Sequence, residues 1–178
     1  MKRCAFTGHR PQKLPFGFDE TCEEYRAFCR ELRAVLEELI AQGYGYFISG
    51  GAMGMDMIAA ETVLSLKEAH PEIRLEMVSP FDAQASRWQS DYAARHARLF
   101  READKVTRTG RVYKKDCLYR RNRYLAENAD LLLAAYDGRG GGTGMTVGYA
   151  MRLGVPVRIF WPFEEEEEEE DAYDMFGV

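Results

Sequence analysis

"DLLLAAYDGRGGGTGMTVGYAM", residues 130–151, decides how this chain reads. An apolar run too continuous to face water on either side gives way to a glycine cluster, and that to an amphipathic run. Glycine loses more conformational freedom on folding than any other residue, so six of them between 138 and 148 need a reason. A slack linker does not fit, because strong periodic segments flank both sides. The pattern predicts a buried strand over 130–136, a turn whose backbone something approaches closely, and a helix over 145–154.

The same grammar repeats outward. "RCAFTG" (3–8), "GYFISGG" (45–51), "IRLEMVSP" (73–80), "KVTRT" (105–109) and "VPVRIFW" (155–161) read as further strands. Between them lie helical patterns. One starts at Asp19, with Tyr25, Phe28, Leu32, Val35 and Leu39 on one face, acidic residues in its first turn and Gly43 at its stop. Others cover 55–70, a long stretch containing Trp88, Tyr92 and Leu99, and 114–129. Continuous apolar strands alternating with helices indicate a mainly parallel sheet covered on both faces. The expected fold is α/β: one Rossmann-like, doubly wound domain over residues 1–163.

Composition limits the function classes. The formal charge of −5 is misleading, since nine of the 29 acidic residues fall in "EEEEEEED" (164–171) and Asp174. Residues 1–163 carry 24 basic against 20 acidic side chains, so the body is mildly basic. Residues 164–178 are expected to form a mobile acidic tail, because consecutive glutamates repel and bury no face. No apolar run approaches the roughly 20 residues of a membrane span, and "MKRCAFTGHR" has too short an apolar stretch for a signal peptide. A cytoplasmic setting with no membrane partner is expected. The four cysteines lack metal spacing and read as reduced thiols; no metal is expected.

Three strands end in unusual turns: "TGHR" (7–10), "SGGAMGMD" (49–56) and "YDGRGGGTG" (136–144). In an open α/β sheet the strand C-termini share one edge, where ligands bind, so these turns converge. Glycines there admit a ligand to the backbone, and free helix N–H groups favour an anion such as phosphate. Neither the dinucleotide fingerprint G-x-G-x-x-G after the first strand nor the P-loop motif is present. The candidate ligand-binding residues are Thr7, Gly8, His9 and Arg10 on the first turn. Ser49, Gly50, Gly51, Gly54 and Asp56 belong to the second, with Asp56 placed to meet a ribose hydroxyl or to complement the helix dipole. Asp137, Gly141, Gly142, Thr143 and Gly144 belong to the third, where the glycines and Thr143 should hold a phosphate.

These turns, with "SPFDAQASRWQ" and "RRNRYLAENADLLLAAYDGRGGGTGMTVGYA", resemble the YpsA-like family of the SLOG superfamily, in order, from residue 5 to about residue 160. The resemblance implies a Rossmann-like fold and a site for a nucleotide-derived ligand: AMP, ADP-ribose or an NAD-like molecule. It also places Arg121 and Asn122 at the site. The superfamily includes LOG phosphoribohydrolases, whose turn P-G-G-x-G-T-x-x-E pairs its glutamate with an upstream arginine. Here the glutamate position falls at Gly148 and the arginine matches Arg121, so half of that pair is missing. Catalytic residues are unassigned; Arg121 and Asp56 are the candidates if the protein is an enzyme. A ligand sensor read by a protein partner or a homo-oligomer mate is the leading expectation, and hydrolysis of a nucleoside monophosphate or N-glycoside the second. Single-stranded nucleic-acid binding is the third. It rests on the basic run from Lys105 to Arg123, with Tyr113, Tyr119 and Tyr124 interleaved.

Overall fold

The computed structural model describes residues 1–163; the acidic tail expected from residue 164 lies outside the described residues. Six parallel strands form a single sheet: β1 (Lys2–Gly8), β2 (Tyr44–Ser49), β3 (Arg74–Ser79), β4 (Lys105–Arg108), β5 (Leu131–Ala135) and β6 (Val157–Ile159). Five helices connect them: α1 (Glu23–Ala41), α2 (Met55–Leu66), α3 (Ser90–Glu102), α4 (Cys117–Glu127) and α5 (Gly142–Arg152). The sheet order is β4-β3-β2-β1-β5-β6. The chain therefore winds outward from β1 in one direction, crosses over, and winds outward from β5 in the other.

Alternation along each strand sorts side chains into two cores. Cys4, Phe6, Phe47, Leu75, Met77, Leu131 and Leu133 pack with α1, α2 and α3. Ala5, Ile48, Val78, Leu132 and Ala134 pack with α4 and α5. Strand β5 pairs with β1 from Cys4↔Leu131 to Gly8↔Ala135, and all five of its residues are buried. That is why 130–136 has no polar alternation.

Several boundaries move: α2 stops at Leu66, α4 spans only Cys117–Glu127, and β6 only Val157–Ile159. Helix α1 begins at Glu23 rather than near Asp19, because Asp19 accepts the N–H and hydroxyl of Thr21 and so forms a turn, while the Cys22 sulfur caps the helix. The long helical stretch resolves into turns over 81–88 and then α3. Helix α5 begins inside the glycine cluster, at Gly142, three residues before the expected start. A short 3-10 turn, Pro11–Lys13, had no counterpart in the sequence reading.

Candidate functional site

The strand order places the topological switch between β1 and β5, where the connections leave in opposite directions and open a crevice beyond the strand C-termini. A cleft of about 300 Å³ occupies that position. Its floor is Thr7, Gly8 and His9 at the end of β1. Arg10, Gln12 and Lys13 form one rim. Ala52 comes from the turn before α2 and Asp56 from its first turn, Leu118, Arg121 and Asn122 from α4, and Gly142 and Thr143 from α5. Three turns far apart in sequence thus meet at one site.

Helix α5 opens onto this cleft without a side-chain cap, and its N-cap is Gly141 at φ +134°. Among the described residues no acceptor meets the N–H groups of Gly142, Thr143 or Gly144; the first bonded amide is that of Met145, which donates to Gly141. Uncapped amides at the positive end of a helix dipole form a seat for an anion. Arg10 and Lys13 stand beside it, and the Lys13 ammonium donates to the Gly140 carbonyl at 3.1 Å.

Arg121 is 5% exposed. Its Nε donates to Asn122 Oδ1 at 2.8 Å, and its Nη1 donates to the Gly50 carbonyl and faces Asp56 Oδ2 at 3.4 Å. Its Nη2 has no protein partner among the described residues. Asp56, also 5% exposed, takes the Ala52 N–H on Oδ2, while its Oδ1 is unpartnered among the described residues. Burial pushes the Asp56 carboxyl above its usual range, and Arg121 only partly opposes this. Burial likewise pushes the Arg121 guanidinium below its usual value, against the pull of Asp56. Desolvation thus outweighs the attraction within this pair, as is common for buried ion pairs. Each group keeps unused hydrogen-bonding capacity in a cleft-lining side chain.

The other expected site residues divide into those that frame the cleft and those that do not line it. His9 is buried against Tyr136 and Trp161, and its Nε2 lies 2.6 Å from Asp137 Oδ1. Asp137 is thereby occupied: despite burial, hydrogen bonds from the Arg139 N–H and from His9 hold its carboxyl below the usual range. This pair locks the end of β1 to the loop after β5.

Ser49, Gly50, Gly51 and Gly54 lie behind the cleft wall. The Ser49 hydroxyl donates to the Asp56 carbonyl and accepts the Gly51 N–H. A Cβ on Gly50 would fall 1.9 Å from Arg121 Nη1. Gly54, at φ +88°, would bring a Cβ to 2.4 Å from the His9 carbonyl. Their smallness lets α2 and Arg121 close on β1, which is a packing role. Gly141 and Gly144 flank the cleft residues Gly142 and Thr143; a Cβ on Gly144 would meet the Tyr136 hydroxyl at 2.7 Å. Gln12, Lys13, Ala52 and Leu118 line the cleft without having been singled out in the sequence. Lys13 alone carried a signal, as a cation five residues after Gly8 of the first turn.

Trp88 packs edge-on against His96, 5.2 Å away, and does not line the cleft. All four cysteines are free. No helix among the described residues is long and apolar enough to cross a membrane. Nor do those residues include a group of three His, Cys, Asp or Glu side chains placed to hold a metal.

Comparison with known proteins is consistent with this architecture. The profile of the YspA SLOG family matches residues 4–151. A UPF0398 protein from Halalkalibacterium halodurans is 33% identical over 142 residues, covering 77% of this chain and 73% of the relative. Among solved structures, DNA processing protein A from Helicobacter pylori, described for its single-stranded DNA binding mode, superposes with a TM-score of 0.61 at 18% identity. That match covers 89% of this chain and 64% of the other. DNA processing protein A from Streptococcus pneumoniae superposes with a TM-score of 0.64 at 16% identity, covering 94% and 52%. The chain therefore spans about half to two thirds of those two proteins, and the likeness is one of fold.

Proposed function

We propose that this chain, which belongs to the YspA SLOG family, binds a phosphate-bearing, nucleotide-type ligand in the crevice between β1 and β5. One observation carries the reading: the uncapped N-terminus of α5 and the unpartnered Nη2 of the buried Arg121 border the same cleft. Fixed amides and a guanidinium are what a phosphate oxygen cluster requires. Asp56 Oδ1 then serves as acceptor for a ribose hydroxyl, as acidic residues do in dinucleotide sites. AMP, ADP-ribose and NAD-like molecules all combine these groups, and occupancy is read by a partner protein or a second copy of the chain.

A second reading, N-glycosidic hydrolysis, is favoured by one specific contact. The structure brings Arg121 and Asp56 to 3.4 Å, and the raised carboxyl of Asp56 suits a proton donor to a leaving base. A nucleic-acid strand is the third ligand class, supported by the exposed Tyr113 beside Arg111, Lys114 and Lys115.

The test is a thermal-shift and calorimetric panel of AMP, ADP, ADP-ribose, NAD and a short oligothymidine. A ligand at 100 times its dissociation constant stabilises by about 2.7 kcal/mol. Stabilisation by a nucleotide, weakened about 10-fold or more when Arg10 and Lys13 are both replaced by alanine, is the expected result. Stabilisation by the oligomer alone overturns the small-ligand reading. Release of free base from AMP, abolished in Asp56→Asn, promotes hydrolysis over sensing.

A further inference from the structure

A second cleft of about 220 Å³ runs between α4 and α5, and it shares Leu118, Asn122 and Gly142 with the anion crevice. Its character differs. Tyr119, Met145 and Tyr149 supply aromatic and thioether surface; Met145 is 61% and Tyr119 44% exposed. Large apolar side chains left open to water beside a charged crevice need an explanation.

Helix geometry supplies one. Residues three, four and seven apart share a helix face, so Gly142, Met145, Thr146 and Tyr149 run along one side of α5. A group seated on the Gly142 amide has Met145 and Thr146 one turn further on, a rise of about 5.4 Å. Leu118 and Asn122 of α4, with Lys115 from the turn before it, form the facing wall, and Tyr119 and Arg123 stand at its outer margin.

The far wall is held by its own contacts. The Arg123 guanidinium lies over the Tyr149 ring at 5.3 Å and is fixed by Glu127 at 2.8 Å; Tyr149 also hydrogen-bonds Glu127. Tyr119 meets Tyr149 edge-on, with centroids 6.5 Å apart. By contrast, among the described residues Lys115 Nζ, Asn122 Nδ2 and the Tyr119 hydroxyl have no hydrogen-bond partner, leaving donors for the edge of a ring.

We propose that the α4–α5 cleft is the subsite for the heteroaromatic ring of the ligand, with Met145 and Tyr119 packing on its face. This rests on the reading of the crevice as the phosphate site and extends it: the ligand class becomes nucleoside 5′-phosphates, not sugar phosphates or inorganic phosphate. Methionine is suited to the task because its flexible, polarisable thioether adapts to a flat ring.

The experiment is isothermal titration of the full chain with ribose 5-phosphate and with the 5′-monophosphates of adenosine, guanosine, cytidine and uridine. Met145→Ala and Tyr119→Ala are titrated alongside. Both positions are exposed, so the variants should fold, and their melting curves verify it. At least one nucleoside monophosphate should bind about 10-fold or more tightly than ribose 5-phosphate. Each substitution should remove most of that advantage and leave ribose 5-phosphate affinity unchanged. Equal binding of ribose 5-phosphate and all four nucleotides overturns the ring subsite while leaving the phosphate site standing. So does a nucleotide preference that survives both substitutions. Binding of none of the five ligands overturns the phosphate reading and this inference with it.

Discussion

Replacing Gly50 by alanine tests how the cleft is built. The new Cβ would sit 1.9 Å from Arg121 Nη1, 2.6 Å from Cζ and 2.8 Å from Cδ, all closer than real contacts allow. Arginine is usually a forgiving neighbour, but this one is 5% exposed and is held by the Gly50 carbonyl, Asn122 and Asp56. To make room, the guanidinium must leave its seat. Forcing extra volume into a packed site costs about 1–3 kcal/mol. Separating a buried charge from its partner costs up to about 3–5 kcal/mol, though Arg121 can recover part of this by swinging toward solvent. A loss of roughly 3 kcal/mol follows, or about 6–12 °C in Tm for a chain of this size. Differential scanning calorimetry reads it. Gly140→Ala is the control, since its Cβ would meet nothing within 4 Å. A Gly50→Ala protein melting within about 2 °C of the parent, with unchanged nucleotide affinity, would refute the claim that Gly50 exists to admit Arg121.

Two further outcomes follow from groups outside the cleft. Glu76, 2% exposed on β3, accepts hydrogen bonds from Tyr46 at 2.7 Å, Thr107 at 2.5 Å and Tyr124 at 2.8 Å, and pairs with Lys105 at 3.2 Å. Glu76→Ala strands these donors and should cost about 3–5 kcal/mol in urea denaturation, with Glu76→Gln losing less. Burial pushes the Glu76 carboxyl up, but its hydrogen bonds win and hold it below 4.5. Its contribution is therefore present above pH 4.5 and lost as pH falls through the lower folded-state value. His96, stacked on Phe100 at 4.3 Å, has its pKa pushed down from 6.5 to about 4 by burial. The neutral ring favours folding above pH 6.5, and that stability is lost as pH falls from 6.5 toward 4. A pH series of urea midpoints should show this slope in the parent and a shallower one in His96→Gln.

The order of strands and helices was legible because buried strands and amphipathic helices impose different periods. The spatial order β4-β3-β2-β1-β5-β6 was not, since the apolar runs at 3–8 and 130–136 carry nothing that names their neighbour. Within the site, the turns at 7–10 and 136–144 delivered Thr7, Gly8, His9, Arg10, Gly142 and Thr143 to the cleft. The turn at 49–56 delivered only Ala52 and Asp56. A glycine that admits a ligand and one that admits Arg121 look alike as letters; they differ in what a Cβ would strike. The start of α5 was misplaced for a related reason. Gly142 and Gly144 read as helix breakers, yet both lie in the first turn of α5, which no side chain caps. Gln12 and Lys13 were missed because a three-residue 3-10 turn has no period to detect.

The most direct test of the central claim is an amide NMR titration of the full chain with AMP. The account predicts that the largest, saturable shifts fall on the N–H signals of Gly142, Thr143 and Gly144, with smaller ones at Thr7, Gly8 and Arg10. Saturable shifts centred instead on Arg108 and Arg111 at the β4 end, or no shifts in a protein free of bound ligand, would contradict it.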